Sequence, residues 1–210
     1  MLTLHGYWRS SAAYRVRIAL NLKGLDYTQQ TYDLRQKAEK AADYAALNPQ
    51  KLVPALQTED GAILTQSLAI MEWLEETHPA PRLLPENPTD RAHVRALCTL
   101  IACDVHPVNN LRILNALRGD FQASDDQVNA WIRRWIGDGF DAYEAMVDGR
   151  FSFGDKPTLA DGCLVPQVYN ARRFNIDLAP WPKIAAIDAA CNALPAFARA
   201  HPDQQPDADR

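Results

Sequence analysis

Apolar positions change their spacing once along the chain, near residue 80. Before that point, short strand-like runs alternate with helical patterns. Met1–His5 is a short apolar opening that reads as a strand. From Ser11 to Lys23 the residues Val16, Ala19, Leu20 and Lys23 recur at three and four, and Gly24 stands where a left-handed helix cap belongs. Asp26–Tyr32, enriched in Tyr and Thr, predicts a second strand. Lys37–Leu47 predicts a weaker helix, ended by Asn48-Pro49. Val53–Thr58 reads as a third strand, Glu59-Asp60-Gly61 as a hairpin turn and Ala62–Leu64 as a short return strand. Gln66–Thr77 places Ile70, Met71 and Leu74 on one helix face. The order β-α-β-α-β-β-α predicts a parallel opening pair and an antiparallel closing edge.

Pro79, Pro81, Pro85 and Pro88 then break any continuing helix and suit a domain boundary. Beyond them the pattern is helical throughout. Val94, Leu97, Cys98 and Ile101 form one stripe, continued after Pro107 by Leu111, Leu114 and Leu117. Val128, Trp131, Ile132, Trp135, Ile136, Phe140, Tyr143 and Val147 form a second, longer stripe, whose aromatics read as helix-packing core. Thr158 and Asp161 make a capping pattern before the apolar run Cys163–Val168, and a last helix covers roughly Lys183–Ala193. The polar tail from His201 reads as loose. The expectation is an α/β domain over 1–82 and an all-α helical bundle over 83–210.

Composition narrows the class. The chain has 210 residues, 47% apolar and 23% charged, which fits folded domains and argues against disorder. A net charge of -4 argues against nonspecific nucleic-acid binding. The first residues contain no apolar run long enough for a signal peptide, and no stretch approaches the length of a membrane helix, so a cytoplasmic location is expected. Cys98, Cys103, Cys163 and Cys191 form no C-x-x-C pair and read as buried reduced thiols. The five histidines show no metal-binding spacing, so no metal is expected.

Three segments resemble the zeta class of glutathione transferases, the family of maleylacetoacetate isomerase and maleylpyruvate isomerase. Trp8 to Leu20 (WRSSAAYRVRIAL) is similar to the family's R-S-S-C-x-W-R-V-R-I-A-L signature. Asn48-Pro49, Val53-Pro54-Ala55-Leu56 and Gln66-Ser67-Leu68-Ala69-Ile70 resemble its N-P-x-x-x-V-P-x-L and Q-S-x-A-I elements. Ala160-Asp161, Leu164 to Val168 (LVPQV) and Arg173-Phe174 resemble its A-D-x-x-L-V-P-Q-V…R-F block, and Cys103 to Leu111 (CDVHPVNNL) resembles bacterial members. The V-P and Q-S elements mark only the superfamily, whereas the S-S-x-x-x-R-V-R-I-A-L and L-V-P-Q-V blocks are much more class-specific. The likeness runs from residue 1 to about Pro206. It implies a thioredoxin-like first domain, an all-helical second domain, a glutathione cofactor and a homodimer. One departure stands out: Ala12 occupies the family's Cys position, and Tyr14 replaces Trp. Any chemistry that the family cysteine performs is lost here.

Ser10 and Ser11 open a predicted helix. A serine there is already explained as an N-cap worth about 1 kcal/mol. The same helix end favours an anion. A glutathione sulfur placed there would have its pKa lowered from about 8.5 towards neutrality. Ser10 would donate a hydrogen bond to the thiolate, with Ser11 as understudy. A thioredoxin-type oxidoreductase would keep its own cysteines at this helix start; Ser10-Ser11-Ala12-Ala13 has none. Val53-Pro54 reads from its pattern as a strand-opening trans proline. The resemblance implies a cis bond instead, with Val53 pairing with the cysteinyl backbone of glutathione. Gln66 and Ser67 read as a cap, and the resemblance makes them ligands of the γ-glutamyl carboxylate.

Arg15 and Arg17 are expected in helix-surface salt bridges, while Arg9 precedes the helix and could face the pocket. By the family match Arg173, not Arg172, reaches substrate. Arg9 and Arg173 together suit a small dicarboxylate. His106 before Pro107 reads more often as a packing or capping residue; the alternative is that His106 and Asn110 line the pocket and bind glutathione. The implied activity is glutathione-dependent cis–trans isomerisation of maleylacetoacetate or maleylpyruvate in aromatic-compound catabolism. It needs a stabilised thiolate, donors for a developing oxyanion and clamps on the carboxylates. Rival readings are a transferase or dehalogenase acting on small α-haloacids, separable by turnover of dichloroacetate, and a non-enzymatic protein that binds acidic ligands without turnover.

Overall fold

The computed structural model describes residues 1–209 and divides into two compact units. One comprises Met1–Leu83 together with the chain from Asn192 onward, and the other is Leu84–Cys191. The segment after Asn192, which the sequence pattern assigns to the helical domain, therefore packs with the first unit.

The first unit is built on a four-stranded sheet in the order β2-β1-β3-β4. Strand β1 (Leu2–Gly6) pairs in parallel with β2 (Tyr27–Thr31) and antiparallel with β3 (Ala55–Gln57), which closes a hairpin with β4 (Ile63–Thr65). The parallel opening pair and antiparallel closing edge expected from the element order are present, in the thioredoxin-like arrangement that the resemblance implies. Helix α1 (Ser11–Leu22) crosses from β1 to β2, and α3 (Ser67–Thr77) follows the hairpin. Gly24, at φ +67°, ends α1: its N–H reaches the Asn21 carbonyl and the Leu25 N–H reaches the Leu20 carbonyl. Lys23, whose side chain is fully buried, pairs with Glu75 of α3. Lys23 Nζ also donates to the Pro81 carbonyl at 2.7 Å, and Glu75 accepts the Leu83 N–H at 2.9 Å. That pair ties the proline-rich segment to the first unit.

The helix predicted over Lys37–Leu47 is shorter. Two single 3₁₀ turns precede α2 (Ala42–Leu47), because Lys37 sits at φ +57° and Ala41 offers no capping side chain. The tail is not loose. Helix α10 (Pro195–Ala200) packs on α1, Pro202 and Gln205 are buried, and Asp207 bonds the Trp8 N–H.

The second unit is helical. Its elements are α4 (Pro88–Thr99), a π-helical stretch Leu100–Val105, α5 (His106–Val108), α6 (Leu111–Gly119), α7 (Asp125–Met146), α8 (Leu159–Arg173) and α9 (Pro182–Asn192). The continuous helix expected past Ile101 is interrupted. Pro107 has no N–H to give the Cys103 carbonyl, and wider turns precede it. Gly139 of α7 lies against Val105 there: a Cβ at Gly139 would meet Val105 Cγ2 at 2.1 Å. The capping box predicted at Thr158 and Asp161 is present, and Asp161 also accepts the Ser152 N–H at 2.8 Å. Burial pushes the Asp161 carboxyl up, against these hydrogen bonds. Cys98, Cys163 and Cys191 are buried free thiols, but Cys103 is exposed on the π-helical stretch. No helix among the described residues is long and apolar enough to cross a membrane.

Candidate active site

The strand register gathers the predicted residues of the first unit at one end of the sheet. His5 pairs with Ala55, and Ala55 pairs with Thr65. The segments that follow β1, precede β3 and follow β4 therefore leave the sheet together. They are the loop Tyr7–Ser10, the dipeptide Val53-Pro54 and the helix start Gln66-Ser67.

Ser10 is the N-cap of α1, and its Oγ accepts the Ala13 N–H at 3.2 Å. The cap uses an acceptor lone pair and leaves the hydroxyl proton free to donate. Capping and ligand binding are thus compatible at one atom. Ser11 is the first helical residue and is buried, while Ala12 beside it is half-buried. The positive end of the helix dipole lies here, and Ser10-Ser11-Ala12-Ala13 contains no cysteine. Arg9 is half-buried, with its guanidinium 5.4 Å from the centre of the Trp8 ring. Burial pushes the Tyr7 hydroxyl pKa up, and the nearby Arg9 partly opposes this.

The Val53-Pro54 bond is cis. The β3 ladder ends at Ala55, so the Val53 N–H and C=O lie outside it. The Leu52 carbonyl just before is held by Tyr44 Oη at 2.6 Å and Asn48 Nδ2 at 2.7 Å. This fixes the loop that presents Val53.

Gln66 adopts φ +69°, a region that non-glycine residues avoid at a cost of about 1–3 kcal/mol. Strain of this kind gathers at ligand sites. Its exposed side chain donates to Gln50 Oε1 at 2.7 Å. Ser67, the first residue of α3, is buried and its Oγ accepts from Arg15 Nη1 at 3.3 Å.

The arginines of α1 differ from expectation. Arg15 and Arg17 are each 1% exposed, so neither lies on the helix surface. Arg17 donates to the backbone carbonyls of Trp8 at 2.9 Å and Ala200 at 3.0 Å. A signal was available: α1 holds no other charged residue, and two residues apart on a helix is about 200°, so both arginines cannot face solvent on one side. Gln50 and Arg15 are neighbours of the site that motif reasoning passed over.

The second unit carries the remaining candidates. His106 opens α5 and is half-buried. Asn110 is the N-cap of α6, not a mid-helix residue, and its Oδ1 accepts the Arg112 N–H at 3.1 Å. At the end of α8, Arg172 is bound to the buried Asp188 at 2.7 Å. Arg173 is exposed, and its Nη1 donates to Asn170 Oδ1 at 3.1 Å. No group of His, Cys, Asp and Glu among the described residues could hold a metal ion.

Comparison with known proteins agrees with this layout. The family model of the glutathione S-transferase N-terminal domain matches residues 9–77. A maleylpyruvate isomerase of Ralstonia is 53% identical, over 98% of this chain and 99% of its own length. The solved holo structure of a bacterial maleylpyruvate isomerase, a zeta-class glutathione S-transferase, superposes with a TM-score of 0.96 at 51% identity, covering 99% of this chain and 100% of that one. A maleylacetoacetate isomerase of Methylobacterium extorquens, solved with malonate and glutathione bound, gives a TM-score of 0.95 at 40% identity, again over 99% and 100%. The chain belongs to the zeta class of glutathione transferases, the family of the maleylacetoacetate and maleylpyruvate isomerases.

Proposed function

We propose that this protein is a glutathione-dependent cis–trans isomerase that converts maleylacetoacetate or maleylpyruvate to the fumaryl isomer. The observation that carries the reading is Ser10. It caps α1 through its acceptor, keeps a donor for a ligand, and stands at a helix start with no cysteine. The residues present fit glutathione. A donor hydroxyl at a positive helix end suits its thiol, backbone groups outside a ladder suit its amides, and a second helix start beside a buried guanidinium suits its carboxylate. When bound, glutathione supplies a thiolate able to add reversibly to an activated double bond.

The chain's own residues take these roles. Ser10 donates to the sulfur, and the first turn of α1 favours its ionised form. Ser11 holds the adjoining position in reserve. Val53, held after the fixed Leu52 carbonyl and before Pro54, presents its N–H and C=O to the cysteinyl backbone. Gln66, Ser67 and the α3 N-terminus receive the γ-glutamyl carboxylate, and Arg15 adds positive charge beneath Ser67. His106 and Asn110 are assigned to glutathione as well. Arg9 and Arg173 bind the substrate carboxylates and neutralise charge that develops on its oxygens. Arg172 is paired with the buried Asp188. The same reading makes the protein a cytoplasmic homodimer that serves aromatic-compound catabolism, and sedimentation tests the dimer.

The deciding experiment is turnover of maleylpyruvate and maleylacetoacetate with and without glutathione. The expected result is conversion to the fumaryl product that requires glutathione but does not consume it. Absence of glutathione-dependent conversion of either substrate overturns the reading.

A further inference from the structure

The loop that delivers Ser10 is held from the far end of the chain. Trp8, two residues before Ser10, has both backbone polar groups engaged. Its N–H donates to Asp207 Oδ2 at 3.0 Å, and its carbonyl accepts from Arg17 Nη2 at 2.9 Å. Arg17 Nε reaches the Ala200 carbonyl at 3.0 Å, and Arg17 Nη1 points at the Tyr7 carbonyl at 3.5 Å. The Tyr7 carbonyl also accepts the Ser10 N–H at 3.0 Å. One buried guanidinium thus bridges the loop to the end of α10.

The tail beyond α10 is folded back and secured. Gln205, 4% exposed, donates to the carbonyls of His201 at 2.7 Å and Arg199 at 2.9 Å, and accepts from Gln29 of β2 at 3.0 Å. This brings Asp207 to the Trp8 N–H. Its other oxygen, Oδ1, is buried and has no hydrogen-bond partner among the described residues. A carboxylate half-withdrawn from water for a single backbone N–H carries a desolvation cost that this one bond only partly offsets. Arg9 stacks on the Trp8 ring, so the loop position also sets Arg9.

We propose that Asp207, with Arg17, is a positioning residue of the active site: the C-terminal segment clamps the Tyr7–Ser10 loop and sets where the Ser10 hydroxyl and the Arg9 guanidinium stand. This rests on the isomerase reading for its catalytic consequence, but not for the clamp itself. Three forms of the full protein test it: Asp207→Ala, Asp207→Asn, and a chain ended after Gln205, which keeps the Gln205 contacts but loses Asp207. Amide hydrogen exchange at Trp8 and Ser10 reads the clamp whether or not the protein is an isomerase. Exchange should quicken in Asp207→Ala and the shortened chain. It should stay near wild type in Asp207→Asn, whose side-chain oxygen still accepts the N–H. Misplacement of the loop should raise the pKa of bound glutathione's thiol and lower kcat/KM about tenfold in the same two forms, with Asp207→Asn largely rescued. Wild-type exchange at both amides in Asp207→Ala and the shortened chain overturns the clamp. Faster exchange with an unchanged thiol pKa and kcat/KM overturns the positioning role. If the wild type itself shows no glutathione-dependent turnover, the isomerase reading fails, and exchange alone still decides the clamp.

Discussion

Replacing Ser10 with alanine removes two contributions that can be measured apart. The first is the cap. Its Oγ accepts the Ala13 N–H, and losing such a cap costs about 1 kcal/mol. In a chain of 210 residues that lowers the melting temperature by roughly 2–4 °C. The second is the donor to the thiolate. A hydrogen bond to a charged group contributes about 1.5–3 kcal/mol, equivalent to roughly one to two units in the pKa of bound glutathione. Ser10→Gly separates the two, because glycine at an N-cap costs only a few tenths of a kcal/mol but offers no donor. Ser10→Thr keeps both functions. The assay is a pH titration of thiolate absorbance in the glutathione complex, run beside thermal melts. The thiol pKa should rise in Ser10→Ala and Ser10→Gly alike, while only alanine loses the full cap contribution. Ser11→Ala should shift it little, since Ser11 is buried. Wild-type thiol pKa values in both Ser10→Ala and Ser10→Gly would refute the reasoning.

Three further outcomes follow from the packing. Lys23→Ala breaks the buried pair with Glu75 and should cost about 3–5 kcal/mol in denaturant unfolding; a loss under 1 kcal/mol would show the pair is dispensable. Gly139→Ala forces Val105 aside and should cost about 1–3 kcal/mol, a loss that Val105→Ala should partly relieve in a double-mutant cycle. Burial lowers the pKa of His5, with contact to Gln57 opposing by less. The unfolded chain then binds the proton more readily, so stability present above about pH 6.5 falls as the pH drops through and below that value. His5→Gln should flatten this part of the stability–pH profile, and an unchanged slope would contradict the assignment.

What the sequence discloses is what local chemistry controls. A cap followed by an apolar run marks α1, the hairpin turn at Glu59-Asp60-Gly61 marks β3 and β4, and Thr158 with Asp161 marks α8. Ser10, Val53-Pro54 and Gln66-Ser67 come together because each follows or precedes a strand end that the register aligns. Long-range features escaped. Arg15 and Arg17 look like surface charges until Ser67, Trp8 and Ala200, brought near by the fold, explain their burial. The tail looks loose by composition, yet Gln205 and Asp207 find partners in β2 and the Trp8 loop. Val105, at the end of the π-helical stretch, packs where Gly139, more than thirty residues further on, leaves room for it.

The most direct test of the central claim is a crystal structure with glutathione bound. The account predicts the sulfur at the N-terminus of α1, with Ser10 Oγ the side-chain atom within about 3.2 Å of it. A sulfur contacted by another side chain, or lying away from that helix start, would contradict it.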